Sequence, residues 1–328
     1  MGLDGAARPQ RALIVAAPIG VLLMTYGSAA TGDDVPAYLA SVRGGRAAPD
    51  DLVAEFRRRY ELIGFSPLVR ITQAQGQALQ EMLDVRDGRG AFRVEVGMLH
   101  SEPRIEAAVR RLSAAGVERV VGVVLSPQWS PIIMGGYTRA VEAARSHLPA
   151  GVPVTVAGAG HELPGFIDAL AARVAEALER LPADRRETVP VVLTAHSLPL
   201  SVVEREPGYL EQIMTTVAAV VARAGLHDGR WQFAYQSAGH SPEEWLKPDL
   251  KDVLPGIRLA GHEDVLVVPV QFLADHLEIL YDIDVAAREE AEEAGLRFHR
   301  IELMNTMPAF IECLAAVVDR EVGAPATS

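Results

Sequence analysis

Short apolar segments alternate with amphipathic segments along almost the whole chain. Seven segments predict strands: GVLLMTYG, FRVEVGML, VERVVGVVLSP, VPVTVAG, VPVVLTAHS, WQFAYQS and DVLVVPVQF. Their apolar residues are mostly consecutive, which is typical of strands that are covered on both faces. Helical patterns between them include DDLVAEFRRRYELIG, RIEAAVRRLSAAG, GGYTRAVEAARSHL, PGFIDALAARVAEALERL, YLEQIMTTVAAVVARAG and PAFIECLAAVVDRE. This alternation predicts an α/β fold in which parallel sheets are flanked by helices.

The chain has 328 residues, which is enough for two domains of ordinary size. The stretch LPAGVP, residues 148–153, is the most natural hinge. We therefore predict two similar α/β lobes, residues 20–150 and 151–305, preceded by a poorly ordered leader, residues 1–19. Residues 306–328 are predicted to form a C-terminal helix and tail that pack back on the body, and the sequence leaves open which lobe receives them.

The stretch RALIVAAPIGVLLMTYGSAA also has features of a secretory signal, since an arginine precedes an apolar run that ends in small residues. We favour a first core strand after a leader, because Pro18 interrupts the run. The apolar segment is also too short to span a bilayer as a helix.

Charge and cysteine content exclude several classes of protein. The formal net charge is -12, whereas proteins that bind nucleic acids concentrate positive charge. Cys313 is the only cysteine, so neither a disulfide framework nor a cluster held by four cysteines can form within one chain. We expect a protein of the reducing cytoplasm with no permanently bound cofactor and no transmembrane segment.

In open α/β sheets, ligands bind beyond the carboxyl ends of the strands. No Gly-x-Gly-x-x-Gly motif or P-loop follows a predicted strand, which argues against the usual nucleotide sites. In VVLTAHSLPL, however, His196 ends a buried strand just before Ser197 and Pro199. A histidine satisfied by a loop carbonyl is the alternative to a functional one.

A second informative stretch is PVQFLADHLEILYDID. Asp275, Glu278 and Asp282 are spaced to share one face of a helix. This face is either a solvated acidic surface near a helix start or a row of carboxylates that leads cations inward. Imidazole from His196 and carboxylate from Glu278 together suit a borderline divalent ion such as Fe²⁺ in an open site.

Three motifs in order, TAHSLP, YQSAGHSPEEWLKPD and VPVQFLADHLEILYDID, resemble the ferrochelatases, the enzymes that insert Fe²⁺ into a porphyrin. In the first half, LLMTYGS, VRGGR, RRYELIGFSPL and GGYTRA resemble the porphyrin-binding side of that family. The resemblance extends over residues 20–320 and is strongest to the soluble bacterial branch that metallates coproporphyrin III. It implies two Rossmann-like lobes with the active-site cleft between them.

The resemblance also implies roles for individual residues. His196 and Glu278 match the pair that binds the metal and handles protons, and Tyr26 matches the axial ligand of the product iron. Five more residues match positions that hold the macrocycle and its propionates: Arg43, Arg59, Tyr60, Ser66 and Tyr137. His100 lies in a matching segment, whereas Leu99 and Ala286 depart from the family pattern.

The implied reaction inserts Fe²⁺ into coproporphyrin III to give Fe-coproporphyrin III (coproheme), with release of two protons, in haem biosynthesis. Protoporphyrin IX is the runner-up substrate. Two rival functions are a non-catalytic porphyrin or haem carrier and a cobalt or nickel chelatase of the same architecture. We expect a cytoplasmic monomer that contacts other haem-pathway enzymes transiently. We also expect His196 and Glu278 to face each other across a slot wide enough for a flat tetrapyrrole.

Overall fold

The computed structural model describes residues 17–239 and 242–323, and within them eight strands form two four-stranded parallel sheets. The first sheet has the order β2 (Phe92–Met98), β1 (Ile19–Thr25), β3 (Arg119–Val124) and β4 (Val154–Val156). The second has the order β6 (Trp231–Gln236), β5 (Val191–His196), β7 (Asp264–Pro269) and β8 (Arg297–Arg300). Both sheets follow the same strand order, which confirms two similar α/β lobes.

Helices cover the sheets. Those before β5 are α1 (Val35–Val42), α2 (Asp50–Leu62), α3 (Leu68–Asp87), α4 (Ile105–Ala114), α5 (Pro131–Ala144), a 3₁₀ turn (Arg145–His147), α6 (Pro164–Glu179) and α7 (Ala183–Arg186). Those after β5 are α8 (Leu200–Arg205), α9 (Pro207–Arg223), α10 (Leu250–Leu259), a π-helix (Glu278–Ala287), α11 (Arg288–Glu293) and α12 (Pro308–Gly323). No helix in these described ranges is both long and apolar enough to cross a membrane.

The central strands are buried because helices cover both of their faces. In β1 the side chains from Val21 to Met24 are all fully buried, although neighbours along a strand point to opposite faces. One continuous apolar cluster contains Leu23 of the first sheet, Leu193 of the second and Phe310 of α12. The two lobes therefore share a core, which fixes the position of one set of strand ends relative to the other.

The first sheet extends further along the chain than predicted. Val154 pairs with Val120, so β4 is the edge strand of the first sheet. The predicted division after residue 150 assigned this strand to the second lobe. Backbone pairing with β3 places β4 in the first lobe. The sequence VPVTVAG does not indicate which strand it pairs with.

Helix α12 returns to the first lobe and packs against α3, β3 and α6. Arg86 of α3 forms a bidentate ion pair with Asp319, with both N–O distances at 2.7 Å. Arg119 donates to the backbone oxygen of Val322 at 3.0 Å. The predicted leader and tail fall largely on residues 1–16 and 324–328, outside the described residues.

A buried carboxylate anchors the start of β7, at the end of the second sheet away from the carboxyl ends of its strands. Asp264 is 6% exposed and accepts hydrogen bonds from Arg297 at 2.8 Å and His299 at 2.9 Å. Arg185 lies 3.3 Å from its second oxygen. The hydrogen bonds from Arg297, with support from His299, lower the pKa of Asp264 despite its burial.

We expect Asp264→Asn to lower the free energy of unfolding by about 2 kcal/mol at pH 7, because hydrogen bonds to a charged group are lost. Since the pKa of Asp264 is depressed in the folded state, this stabilisation is fully present above the ordinary aspartate pKa of about 3.9 and decreases progressively as pH falls from there toward the depressed folded-state pKa. Urea unfolding of both proteins from pH 7 down to pH 3 measures the difference. Glu263→Gln, which removes only a solvent-exposed partner of Arg297, is the matched control and should change little.

Candidate active site between the lobes

His196 is the last residue of β5, and local contacts fix its orientation. Its backbone N–H donates to Gln271 Oε1 at 2.9 Å. Its Nδ1 lies within hydrogen-bonding distance of the carbonyl oxygen of Ser197. A carbonyl can only accept, so Nδ1 carries the proton and Nε2 remains available as an acceptor. The imidazole is 28% exposed and presents Nε2 to the site.

Glu278 is the first residue of the π-helix and lies between two imidazoles. Its Oε2 is 3.7 Å from His196 Nε2 and 3.6 Å from His276 Nε2. Nδ1 of His276 donates to the carbonyl oxygen of Ala274 at 2.9 Å, which directs its Nε2 to the carboxylate. The Glu278 side chain is 39% exposed, so the carboxylate faces open space as well as its two partners.

This arrangement holds Glu278 ionised. Burial alone would raise the pKa of Glu278, but the His196 imidazole and the neighbouring His276 imidazole lower it to about 2. For His276, burial opposes the charged form, yet the neighbouring Glu278 carboxylate and its charge raise the pKa. The site therefore presents a carboxylate next to an imidazole, two ligand types that suit a divalent cation.

The predicted row of three acids is only partly present. Asp282 lies one π-helical turn from Glu278, and burial together with the Glu278 charge raises its pKa. Asp275 instead precedes the helix and binds Asn305, with Nδ2 to Oδ2 at 2.8 Å, and pairs with Arg300 at 3.4 Å. The reason is that the helix begins after Asp275, so helical spacing does not apply to it.

Tyr26 follows β1 at the carboxyl end of the first sheet and is 43% exposed. Its ring contacts His100 edge-on, with centroids 4.4 Å apart. Partial withdrawal from water and the nearby charge of Glu278 raise the pKa of Tyr26 to about 12. The hydroxyl is therefore neutral at physiological pH. The charge of Glu278, on the other lobe, contributes to this shift.

The expected slot between His196 and Glu278 is not present. At 3.7 Å these two side chains are direct neighbours on the second lobe, because β5 and β7 are adjacent parallel strands that end at one edge. A flat ring cannot pass between them. His196, Glu278 and Tyr26 of the first lobe all remain partly exposed.

Three of the residues predicted to hold the macrocycle are buried. Tyr60 is fully buried, and its hydroxyl is 2.9 Å from Ser28 Oγ. Ser66 Oγ accepts from the backbone N–H of Leu68, the first residue of α3, at 3.3 Å. Tyr137 is 6% exposed, and burial, followed by Tyr26, raises its pKa. Of the three, Tyr60 supports the segment that follows Tyr26, through Ser28 and the backbone N–H of Ala29.

The two predicted arginines lie in different environments. Arg43 follows the end of α1 and is exposed. Arg59 lies on α2 with Nη2 2.5 Å from Glu55 and its guanidinium 5.0 Å from the ring centroid of Tyr281, in the π-helix. Arg59 thus contacts the second lobe through a cation–π interaction.

Two residues of the site were not predicted from the sequence. His276 stands two positions before Glu278, which would place it on another face of a regular helix. The irregular backbone at residues 275–276 lets it reach the carboxylate. Tyr38 of α1 packs in the same apolar cluster as Tyr60. Burial, then Tyr60 and Tyr26, raise its pKa. Of the two, only His276 had a signal in the sequence: the stretch DHLE combines three metal-binding residue types, Asp, His and Glu.

A groove of about 440 Å³ lies elsewhere, between α3 and the edge strand β2. Its lining includes Gln80, Arg93 and Arg111 but none of the predicted site residues. The strand ends that carry Tyr26, His196 and Glu278 therefore remain the candidate site.

Solved structures with a similar fold include chelatases. The sirohydrochlorin chelatase SirB from Bacillus subtilis subspecies spizizenii superimposes with a TM-score of 0.56 at 11% identity, covering 92% of this chain and 94% of that one. CbiX, the terminal enzyme of sirohaem biosynthesis in denitrifying bacteria, gives a TM-score of 0.52 at 14% identity and covers 93% and 100%. At these identities the likeness concerns the fold alone, which is that of the two-lobed chelatases.

Sequence relatives define the family within this fold. A family model described as Ferrochelatase matches residues 18–322. The ferrochelatase of Deinococcus radiodurans is 39% identical, and the alignment covers 93% of this chain and 96% of the relative. The coproporphyrin III ferrochelatases of Geobacillus kaustophilus and Bacillus subtilis are 35% and 31% identical; the alignments cover 91% and 93% of this chain and 94% and 98% of theirs.

The chain belongs to the ferrochelatase family, the lyase-type metal chelatases of haem biosynthesis that insert iron into a porphyrin. The family predicted from TAHSLP and DHLEILYDID is confirmed.

We expect Glu278→Gln to lower the pKa of His276, because the opposing effect of burial remains while the carboxylate charge is lost. Heteronuclear NMR of the imidazole signals across a pH titration measures the midpoint, with the signal assigned by its loss in His276→Gln. Glu289→Gln, on exposed α11, is the matched control. An identical midpoint in wild type and Glu278→Gln would contradict the pairing seen in the structure.

Proposed function

We propose that this protein inserts Fe²⁺ into coproporphyrin III to give Fe-coproporphyrin III, with release of two protons. The observation that carries the proposal is the partly exposed phenol of Tyr26 on the first lobe, whose pKa the charge of Glu278 helps to raise, together with the His196–Glu278 pair of the second lobe. A metalloporphyrin between the lobes would have an oxygen ligand on one face and an imidazole and a carboxylate on the other.

We assign Glu278 to the incoming cation. With a pKa of about 2 it is a weak base, so at neutral pH it offers a charge and two oxygen lone pairs rather than a proton acceptor. Asp282 lies one turn further along the π-helix and forms the remaining part of an acidic approach.

We assign proton removal from the porphyrin nitrogens to His196. Its Nε2 is an acceptor, because Nδ1 holds its proton against the Ser197 carbonyl. The imidazole is 28% exposed and can pass the first proton to water before the second transfer. Positioned proton transfer of this kind contributes roughly 10²–10⁴-fold to a rate.

Substrate choice is assigned to positive charge at the rim of the opening. Coproporphyrin III carries four carboxylates, and guanidinium groups pair with carboxylates in a bidentate manner. Arg43 is exposed after α1, and Arg46 lies beside it with Nε donating to the Arg43 carbonyl at 3.2 Å. Relatives named coproporphyrin III ferrochelatase support this choice, whereas the Deinococcus radiodurans relative is named ferrochelatase only. Protoporphyrin IX remains the alternative substrate.

The proposal includes a reducing, cytoplasmic location. Cys313, the single cysteine of the chain, is buried, and burial raises its pKa to about 11, so it is a poor nucleophile and metal ligand. We also propose that the protein acts without a resident cofactor, as a monomer, and that it meets other haem-pathway enzymes only transiently.

The proposal predicts faster anaerobic Fe²⁺ insertion into coproporphyrin III than into protoporphyrin IX. We expect a ratio of kcat/KM on the order of tenfold or more, since hydrogen bonds to charged groups each contribute about 1.5–3 kcal/mol. Absorbance changes on metallation give both rates. His196→Ala should abolish insertion and leave porphyrin fluorescence quenching on binding unchanged.

Equal rates, or a preference for protoporphyrin IX, would contradict the proposed substrate. Binding of porphyrin without any metallation would identify a carrier instead. Competition between Fe²⁺, Co²⁺ and Ni²⁺ in the same assay tests the choice of metal.

Tyr26→Phe should change the absorption spectrum of bound ferric coproheme more than it changes affinity, because the oxygen ligand is removed while the ring and its packing against His100 remain. Spectra of the loaded wild type and variant, together with titrations of the product, measure both effects. A spectrum that is identical in the two proteins would argue against axial ligation by Tyr26.

A further inference from the structure

The segment between β7 and the π-helix determines where Glu278 lies. After Pro269 the backbone runs to residue 276 without regular structure and brings His276 and then Glu278 to the site. Repeating helical or strand hydrogen bonds do not fix these residues, so other contacts must hold them in place.

Asn305 makes three of those contacts. Its side-chain Oδ1 accepts from the backbone N–H of Asp275 at 2.9 Å, and its Nδ2 donates to Asp275 Oδ2 at 2.8 Å. Its own backbone N–H donates to the carbonyl oxygen of Leu273 at 2.9 Å. The side chain of Asn305 therefore holds Asp275, and its backbone holds Leu273, in the segment that precedes His276.

The backbone of Asn305 is left-handed, with φ of 43°. Asparagine tolerates this region better than most residues. Asn305 is also the only asparagine among the 328 residues of the chain. Aspartate would tolerate the backbone equally well, but it would place a second carboxylate against Asp275 Oδ2 and would lack the donor. The contact requires an amide and a left-handed backbone together, which few residue types supply.

A further contact joins Asn305 to the first lobe. Gln75, fully buried on α3, donates its Nε2 to the carbonyl oxygen of Asn305 at 2.7 Å. On the other side of the pair, Arg300 lies 3.4 Å from Asp275 and is held by Asp284 at 2.7 Å. Asn305 thus connects α3 of the first lobe with the segment that carries Glu278 on the second.

We propose that Asn305 is a positioning residue for iron insertion: through its paired hydrogen bonds with Asp275 it holds the segment of His276 and Glu278 in the geometry that the reaction needs. The inference rests on the proposed role of Glu278. It does not require Asn305 to touch either substrate.

Three variants separate the side chain from the backbone. Asn305→Gly keeps a residue that accepts positive φ but removes the amide. Asn305→Asp places two carboxylates against each other. Asn305→Asp combined with Asp275→Asn restores both hydrogen bonds with the amide and carboxylate exchanged, so it is the matched rescue. Gln77→Ala on the exposed face of α3, where Gln77 binds Glu81, is the control.

We expect Asn305→Gly and Asn305→Asp to lower kcat for iron insertion on the order of 10- to 100-fold, as for displaced supporting residues of metal-handling groups. Porphyrin affinity from fluorescence quenching should stay within about twofold of wild type. The exchange variant should recover most of kcat, and Gln77→Ala should match wild type. Thermal unfolding of each variant checks that the protein is folded, since a purely structural role would change Tm and porphyrin binding together.

Wild-type kcat in folded Asn305→Gly, or an exchange variant no faster than Asn305→Asp, would overturn the inference. If Asn305→Gly fails to fold, the comparison of Asn305→Asp with the exchange variant still tests the positioning role of Asn305. Glu278→Gln in the same assay distinguishes failure of the proposed active site from failure of the proposed role of Asn305. Full turnover in Glu278→Gln refutes the assigned site, whereas loss in Glu278→Gln with full turnover in Asn305→Asp refutes only the role of Asn305.

Discussion

Parallel pairing of strands determines where this protein can perform chemistry. Adjacent parallel strands end at the same edge of a sheet, so the residues that follow β5 and β7 are brought together although they lie far apart in the chain. The shared apolar core then holds the edge of the first sheet near that of the second. Tyr26, His196 and Glu278 meet for this reason.

The electrostatics of the site follow from the same arrangement. The Glu278 carboxylate, with two imidazole neighbours, stays ionised and partly exposed. Its ion-pair partners are these imidazoles rather than a guanidinium. Strong arginine pairing is found instead at Asp264, which begins β7, and at Asp284, which pairs with Arg300 at the end of β8. This separation leaves Glu278 available to a cation, while arginine-bound carboxylates stabilise the fold.

Apolar patterning predicted much of the fold, and the failures have physical causes. Helix α3 does not stand out because glutamines occupy much of its sequence. Gly76 on α3 explains its position: a Cβ there would lie 2.6 Å from a methyl group of Val96, so α3 packs closely on β2. A pattern along one segment cannot reveal such a contact. The edge strand β4 was placed in the wrong lobe for a similar reason, since pairing with β3 leaves no local mark.

The sequence by itself determined the class of fold, the family and the residue types at the strand ends, because apolar periodicity and ordered motifs are properties of the chain. Tertiary structure decided that His196 and Glu278 are neighbours on one lobe, that His276 joins them and that Asn305 holds their segment. These relations depend on irregular backbone and on contacts between distant residues. Such contacts exist only once both sheets share their core.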